Sequence, residues 1–153
     1  MKKTGRGVAC MWYGVWGGPS VAVVKVDTGG NVTLITGEVD VGQGSDTILC
    51  QIVAEELGIP LERVNVVSGD SDAMLHAGGT AASRVTYMGG NAVRRAAAEV
   101  RRKIFAVAAE WLHATPEALE AKDGEIYVRG ASEKSISFAD VAVSMMEREG
   151  PIV

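Results

Sequence analysis

The chain has 153 residues, 47% of them hydrophobic and 22% charged, which is enough to bury a core and places it among single globular domains. Lys and Arg total 15 against 19 acidic residues, and the net charge of -4 excludes a general nucleic-acid binder. Two widely separated cysteines, Cys10 and Cys50, exclude a zinc or iron–sulfur framework and read as buried free thiols of a reducing compartment.

The first 19 residues form a glycine-rich lead-in carrying Trp12 and Trp16. Its short apolar run is preceded by Arg6 and Gly7 and makes no signal peptide, and no stretch approaches a membrane span, so a cytoplasmic protein with no membrane partner is expected. A hairpin follows, with strands at 21–26 and 31–36 joined by Asp27-Thr28-Gly29-Gly30. Both strands are apolar on both faces, which predicts a cover on each side.

Residues 37–47 read Gly-Glu-Val-Asp-Val-Gly-Gln-Gly-Ser-Asp-Thr and lead into an apolar helical run with Ile48, Leu49, Ile52, Val53 and Leu57 on one face. Gly42 and Gly44 let backbone approach a ligand, Gln43 between them both donates and accepts, and Ser45, Asp46 and Thr47 offer cap oxygens. Free amides at a helix start suit an anion such as phosphate, although an ordinary capped turn accounts for the same residues. Gly58 and Pro60 end this helix, and Val64 to Val67 read as a buried strand.

The loop from Ser68 to Ala82 ends in Gly79-Thr80-Ala81-Ala82-Ser83-Arg84-Val85-Thr86, where Ser83 is a candidate N-cap. A long helix then runs from about Val85 to Leu112, with Ala92, Ala96, Val100, Ile104, Val107 and Trp111 as its core stripe. Thr115-Pro116-Glu117 predicts a short helix, residues 125–129 a strand, and Ser137 with Asp140 a capping box opening a last helix. Asp70, Asp72 and His76 fit no metal-ligand spacing, and His113 reads as a helix end.

The predicted architecture is an α+β, two-layer domain over residues 1–153 with a mixed sheet, in the order β-β-α-β-α-(short α)-β-α. A strand–helix–strand unit over residues 31–67 demands a parallel crossover, so both strands end at one sheet edge. Gln43 and Ser83 should then meet at a common crevice, the usual ligand position in open α/β sheets, with a phosphate- or pterin-like group shared between the loops.

These motifs, together with Ala54-Glu55-Glu56-Leu57-Gly58-Ile59-Pro60, Ser68-Gly69-Asp70 and Gly90-Asn91-Ala92, resemble the molybdopterin-binding subunit of the xanthine dehydrogenase/aldehyde oxidase family. The likeness runs from Gly5 to about Met146, and the wording around Ser83 to Met88 is most similar to the 4-hydroxybenzoyl-CoA reductase branch. The resemblance implies that Gly42, Gln43 and Gly44 hold the pterin and its phosphate. It also implies that Ser83, Val85 and Thr86 contact the cofactor, Val85 through its backbone alone, and that Ala81 and Ala82 lie beside molybdenum in the substrate pocket. The implied cofactor is molybdopterin with molybdenum, its cytosine dinucleotide being one form the family uses. Iron–sulfur clusters and FAD are expected on partner subunits or domains.

The family hydroxylates or reduces aromatic heterocycles, aldehydes or aryl-CoA substrates with a glutamate base in a Gly-Glu motif. No catalytic residue and no metal ligand is assigned in this chain, since Glu149-Gly150 does not match that motif's context. The expectation is a piece of a longer, split or truncated subunit that is inactive alone, self-associates, and needs the rest of the molybdenum subunit, an iron–sulfur subunit and an FAD subunit. A stand-alone molybdopterin carrier and a non-binding structural remnant are the competing readings.

Overall fold

A computed structural model describes all residues except Met1, Ser71, Met74 and Leu75, with Glu149 described by its backbone alone. Strand β1 (Ala22–Val26) turns back into β2 (Val32–Thr36). The Asp27 carboxylate accepts from the amides of Gly29 and Asn31 at 2.8 and 2.9 Å, which closes the hairpin. Helix α1 (Ser45–Leu57) then carries the chain over to β3 (Val64–Val67), which pairs parallel to β2 with Leu34 opposite Val66. The sheet order is β1-β2-β3, mixed as expected, and Val26 also pairs with Ile152 near the C-terminus.

Burial alternates in β2, where Val32, Leu34 and Thr36 are buried and Thr33 and Ile35 only half so. One face therefore packs on helices while the other keeps partial solvent access. The second cover that the sequence predicts for the hairpin is absent among the described residues. In α1 the buried stripe is Leu49, Cys50, Val53, Ala54 and Leu57. Ile48 is exposed and Ile52 half-buried, so the stripe lies one residue round from the expected face. Burial pushes the Cys50 thiol up. Cys10, expected buried, is exposed on the lead-in.

Residues 85–89 form one wide turn with i→i+5 character and run straight into helix α2 (Gly90–Leu112). Its core side is Val93, Ala97, Val100, Ile104, Phe105, Val107, Ala108 and Ala109, whereas Ala92 and Ala96 are half-buried and Trp111 is exposed. The helical period matches the expected one, and α2 packs with this side against α1 and β1. His113 closes α2 in the left-handed region at φ 49°.

The region after α2 corrects the expected order. Pro116–Ala118 is a single 3-10 turn rather than a short helix, and β4 (Leu119–Lys122) follows at once. Asp123 and Gly124, at φ 53° and 83°, make the two-residue turn that suits an antiparallel hairpin. Through it β4 pairs with β5 (Glu125–Val128), and β6 (Ala131–Ser137) adds a third strand. Leu119 and Ile126 are fully buried, which outweighs the local helix signal of Thr115-Pro116-Glu117. Ser137 then caps helix α3 (Phe138–Glu149), accepting from the Asp140 amide at 3.1 Å. The meander hangs on α1 through backbone: Gly124 N–H donates to the Gly58 carbonyl at 2.9 Å.

Candidate cofactor site

The crossover puts the exits of β2 and β3 side by side. Ser68, just after β3, donates to Asp46 in the first turn of α1 at 3.0 Å. Thr80 Oγ1 donates to the Val39 carbonyl at 2.6 Å, so the second loop is tied to the first. Gln43, Thr80, Ala81, Ala82, Ser83, Arg84, Val85 and Thr86 line one cavity of about 470 Å³. That is within the ordinary range for small-molecule sites. Gln43 and Ser83 therefore meet at one crevice. Gly42 and Gly44 lie on the first loop but do not line the cavity.

The first loop is arranged differently from its sequence expectation. Ser45, Asp46 and Thr47 do not cap α1; Gly44 occupies the N-cap position in the left-handed region with no side-chain cap from itself. Asp40 takes the capping role from outside the helix. Its Oδ1 accepts from Gly42 N–H at 2.7 Å and Gly44 N–H at 3.4 Å, and its Oδ2 from Asp46 N–H at 3.2 Å. Hydrogen bonds from the backbone amides of Gly42 and then Asp46 hold the Asp40 carboxyl below its ordinary 3.8. The amides expected to be free for phosphate thus already face an internal anion. Gln43 is also engaged: its Oε1 accepts from Val41 N–H at 2.7 Å, and its Nε2 donates to Ser45 Oγ at 2.9 Å and the Val39 carbonyl at 3.2 Å.

The second loop holds the strain. Ala82 and Ser83 are consecutive left-handed residues at φ 47° and 54°. Each costs a non-glycine residue roughly 1–2 kcal/mol, and such outliers concentrate at ligand sites. In that conformation Ser83 does not cap the helix, and its hydroxyl and that of Thr86 make no hydrogen bond among the described residues. Val85 turns its side chain into the core, leaving only its backbone to the cavity.

Beneath the cavity lies an ion pair for which the sequence reading had no role. Arg84 and Glu38 are both buried, at 2% and 1% exposure. Arg84 Nη1 donates to the two Glu38 oxygens at 3.0 and 2.9 Å and to the Gly79 carbonyl at 3.0 Å. Arg84 Nη2 donates to Ser20 Oγ at 2.7 Å and the Pro19 carbonyl at 3.2 Å. Ser20 in turn donates to Glu38 Oε1 at 2.6 Å. A Cβ on Gly89 would come within 2.7 Å of Glu38 Cγ, and one on Gly78 within 3.0 Å of Arg84 Cζ. The pair therefore fills a slot that two glycines leave open. Arg84 Nε is buried and has no partner among the described residues.

Asp70 and Asp72 share a turn, the Asp72 amide donating to Asp70 Oδ1 at 2.9 Å, and no cluster of metal-ligating side chains exists among the described residues. Nor is any helix among them long and apolar enough to cross a membrane.

The match with known sequences decides the family. The whole chain, residues 1–153, fits the molybdopterin cofactor-binding domain family. The chain belongs to that family. This molybdopterin-binding domain is 41% identical over 124 residues to the nicotine 6-hydroxylase large subunit of Paenarthrobacter nicotinovorans, covering 81% of this chain and 15% of that protein. It is 34% identical over 148 residues to the xanthine dehydrogenase molybdenum-binding subunit of Escherichia coli O157:H7, covering 92% of this chain and 20% of that one. Among solved structures, quinoline 2-oxidoreductase from Pseudomonas putida 86 superposes with a TM-score of 0.78 at 33% identity, over 84% of this chain and 16% of that one. The domain thus spans only 15 to 20% of the length of these curated relatives.

The lining of this cavity suits a group of pterin size and polarity. Small side chains at Ala81 and Ala82 leave width, and the Ser83 and Thr86 hydroxyls, uncommitted among the described residues, offer hydrogen bonds. The signal that could have found Glu38 and Arg84 in the sequence is weak: each charge stands among glycines, alanines and valines, where a buried partner is needed.

Proposed function

We propose that the domain supplies one wall of the molybdenum cofactor site of a hydroxylase of the xanthine dehydrogenase/aldehyde oxidase type, with the rest of the large subunit closing the other side. The observation that carries this is the convergence of Gln43 with Ala81–Thr86 on one cavity, with Ala82 and Ser83 held left-handed. Gly42, Gln43 and Gly44 hold the pterin and its phosphate, which must displace or bypass the Asp40 carboxylate. Ser83 and Thr86 bind through hydroxyl or backbone, Val85 through backbone, and Ala81 and Ala82 give the substrate room beside the metal. The bound cofactor supplies two-electron oxidation chemistry, and the cytosine dinucleotide is its proposed form.

The substrate is an aromatic heterocycle, aldehyde or aryl-CoA; a nicotine hydroxylase and a quinoline oxidoreductase among the relatives favour the heterocycle. The general base and the iron–sulfur and FAD partners come from outside these 153 residues, and the exposed lead-in with Trp12 and Trp16 is the surface that joins or self-associates. The chain is purified from a cofactor-making host, its molybdenum and pterin contents are measured, and dye reduction is tested with purines, N-heterocycles, aldehydes and aryl-CoA thioesters. The expected result is little cofactor and no turnover for the chain alone, with both gained in the complete complex. Stoichiometric molybdenum with turnover in the isolated chain overturns the partial-site reading.

A further inference from the structure

We propose that the Glu38–Arg84 pair is the positioning element of the cavity: it sets the separation of the two loops, and through them the grip on the cofactor. The inference rests on the cofactor-wall reading only for its last step. Arg84 follows Ala82 and Ser83 directly in sequence, so its anchored guanidinium fixes where the left-handed pair leaves the turn. Glu38 stands two residues before Asp40, the carboxylate that organises the first loop. One guanidinium nitrogen, Arg84 Nη1, bonded to both Glu38 oxygens therefore references both loops to each other.

Three further ties converge on it. Ser20 bridges both partners, Gly79 O receives Arg84 Nη1, and Ser20 pairs with Ala77 across the sheet edge. The planar guanidinium holds Nη1 on Glu38 and the Gly79 carbonyl while Nη2 holds Ser20 and the Pro19 carbonyl, a fixed fork that a lysine ammonium cannot span, so the pair fixes distance and orientation together. The two flanking glycines bring backbone close against the pair, where an added Cβ would lie 2.7 Å from Glu38 Cγ or 3.0 Å from Arg84 Cζ. Neither charge reaches solvent, so the pair has no role in steering a ligand from bulk water.

Arg84→Lys keeps the charge and loses the fork; Ser20→Ala removes the bridge and is the milder variant should the first not fold. Amide hydrogen exchange is measured on the full chain of each. The expected result is exchange at residues 41–46 and 79–84 raised about tenfold or more, while Leu49–Leu57 and Val93–Ile104 keep their protection, because local openings cost less than global unfolding. A uniform rise everywhere, or a rise in the second loop alone, overturns the inference. In parallel, the complete large subunit carrying Arg84→Lys is assayed for retained pterin by fluorescence after oxidation, with a severalfold loss expected and equal retention counting against the proposal. If the unaltered subunit retains no pterin while both loops still loosen together in the variants, the cofactor reading fails and the positioning role stands.

Discussion

The two loops that meet at the cavity solve the same problem by opposite means. The first, from Asp40 to Thr47, is exposed at Val41 to Gly44, and it satisfies its amides with the half-buried Asp40 carboxylate and its own Gln43 side chain. The second, from Gly78 to Thr86, is nailed to the core by a buried ion pair and bears two strained residues. The first keeps its anion in place by local hydrogen bonds alone, so opening it strands no buried charge, although a simple anion has to compete with a carboxylate tethered beside the same amides. The second cannot rearrange without stranding a charge. A site that must both admit a large anionic cofactor and hold it in register needs one adaptable rim and one fixed rim.

The contrast is broken most forcefully at the ion pair. Glu38→Gln leaves Arg84 charged, buried and uncompensated, and roughly 3–5 kcal/mol of stability should be lost in urea unfolding. A loss under 1 kcal/mol would mean that the second loop is not anchored as described.

The glycines sharpen it. Gly89 has φ −63°, so Gly89→Ala is opposed only by the clash with Glu38, about 1–3 kcal/mol for overpacking, offset in part by the roughly 1 kcal/mol helix-propensity gain. Gly44→Ala meets no atom within 4 Å but must keep φ 79°, a conformational cost of about 1–2 kcal/mol. Local amide exchange should separate the two, with Gly89→Ala, which pushes on Glu38, loosening both loops together and Gly44→Ala the first loop alone.

Acid distinguishes the rims next. The Asp40 carboxyl is held below 3.8 in the folded chain, so its stabilising contribution is complete above the unfolded carboxylate range and is lost as pH falls through the lower folded value. The Gly42 and Asp46 amide NMR signals should titrate with a midpoint below 3.8, and Asp40→Asn should abolish the titration. A midpoint at or above 3.8 would remove Asp40 from the cap. The smallest effect is a null one: inorganic phosphate at millimolar concentration should leave those two amides unshifted in the unaltered chain, since their acceptor is already present.

What was legible follows the same division. The strand–helix–strand crossover could be read from Leu34, Val53 and Val66, because period and length together leave one topology, and the meeting of Gln43 with Ser83 followed from it. The Asp40 cap was within reach, since Asp two residues before Gly is a common side-chain turn. The Glu38–Arg84 pair was not, because its partners lie 46 residues apart and no local spacing marks them. Strand β6 escaped because Ser132, Glu133, Lys134 and Ser135 are exposed and polar, the composition that keeps an edge strand from pairing further and that also resembles a loop. Strand β4 was hidden by the proline turn before it.

The placement of the aromatic residues has an optical consequence. The chain has three tryptophans, and Trp12, Trp16 and Trp111 are 90%, 73% and 46% exposed. The emission of Trp12 and Trp16 in the isolated domain should already sit near the red limit of a hydrated indole, so chemical denaturation will move mainly the smaller share that half-exposed Trp111 contributes. Docking of the lead-in against another protein surface would dry Trp12 and Trp16 and shift the same emission to the blue. In this domain intrinsic fluorescence reports unfolding weakly, through Trp111, and becomes a ready-made, label-free titration signal for assembly through Trp12 and Trp16.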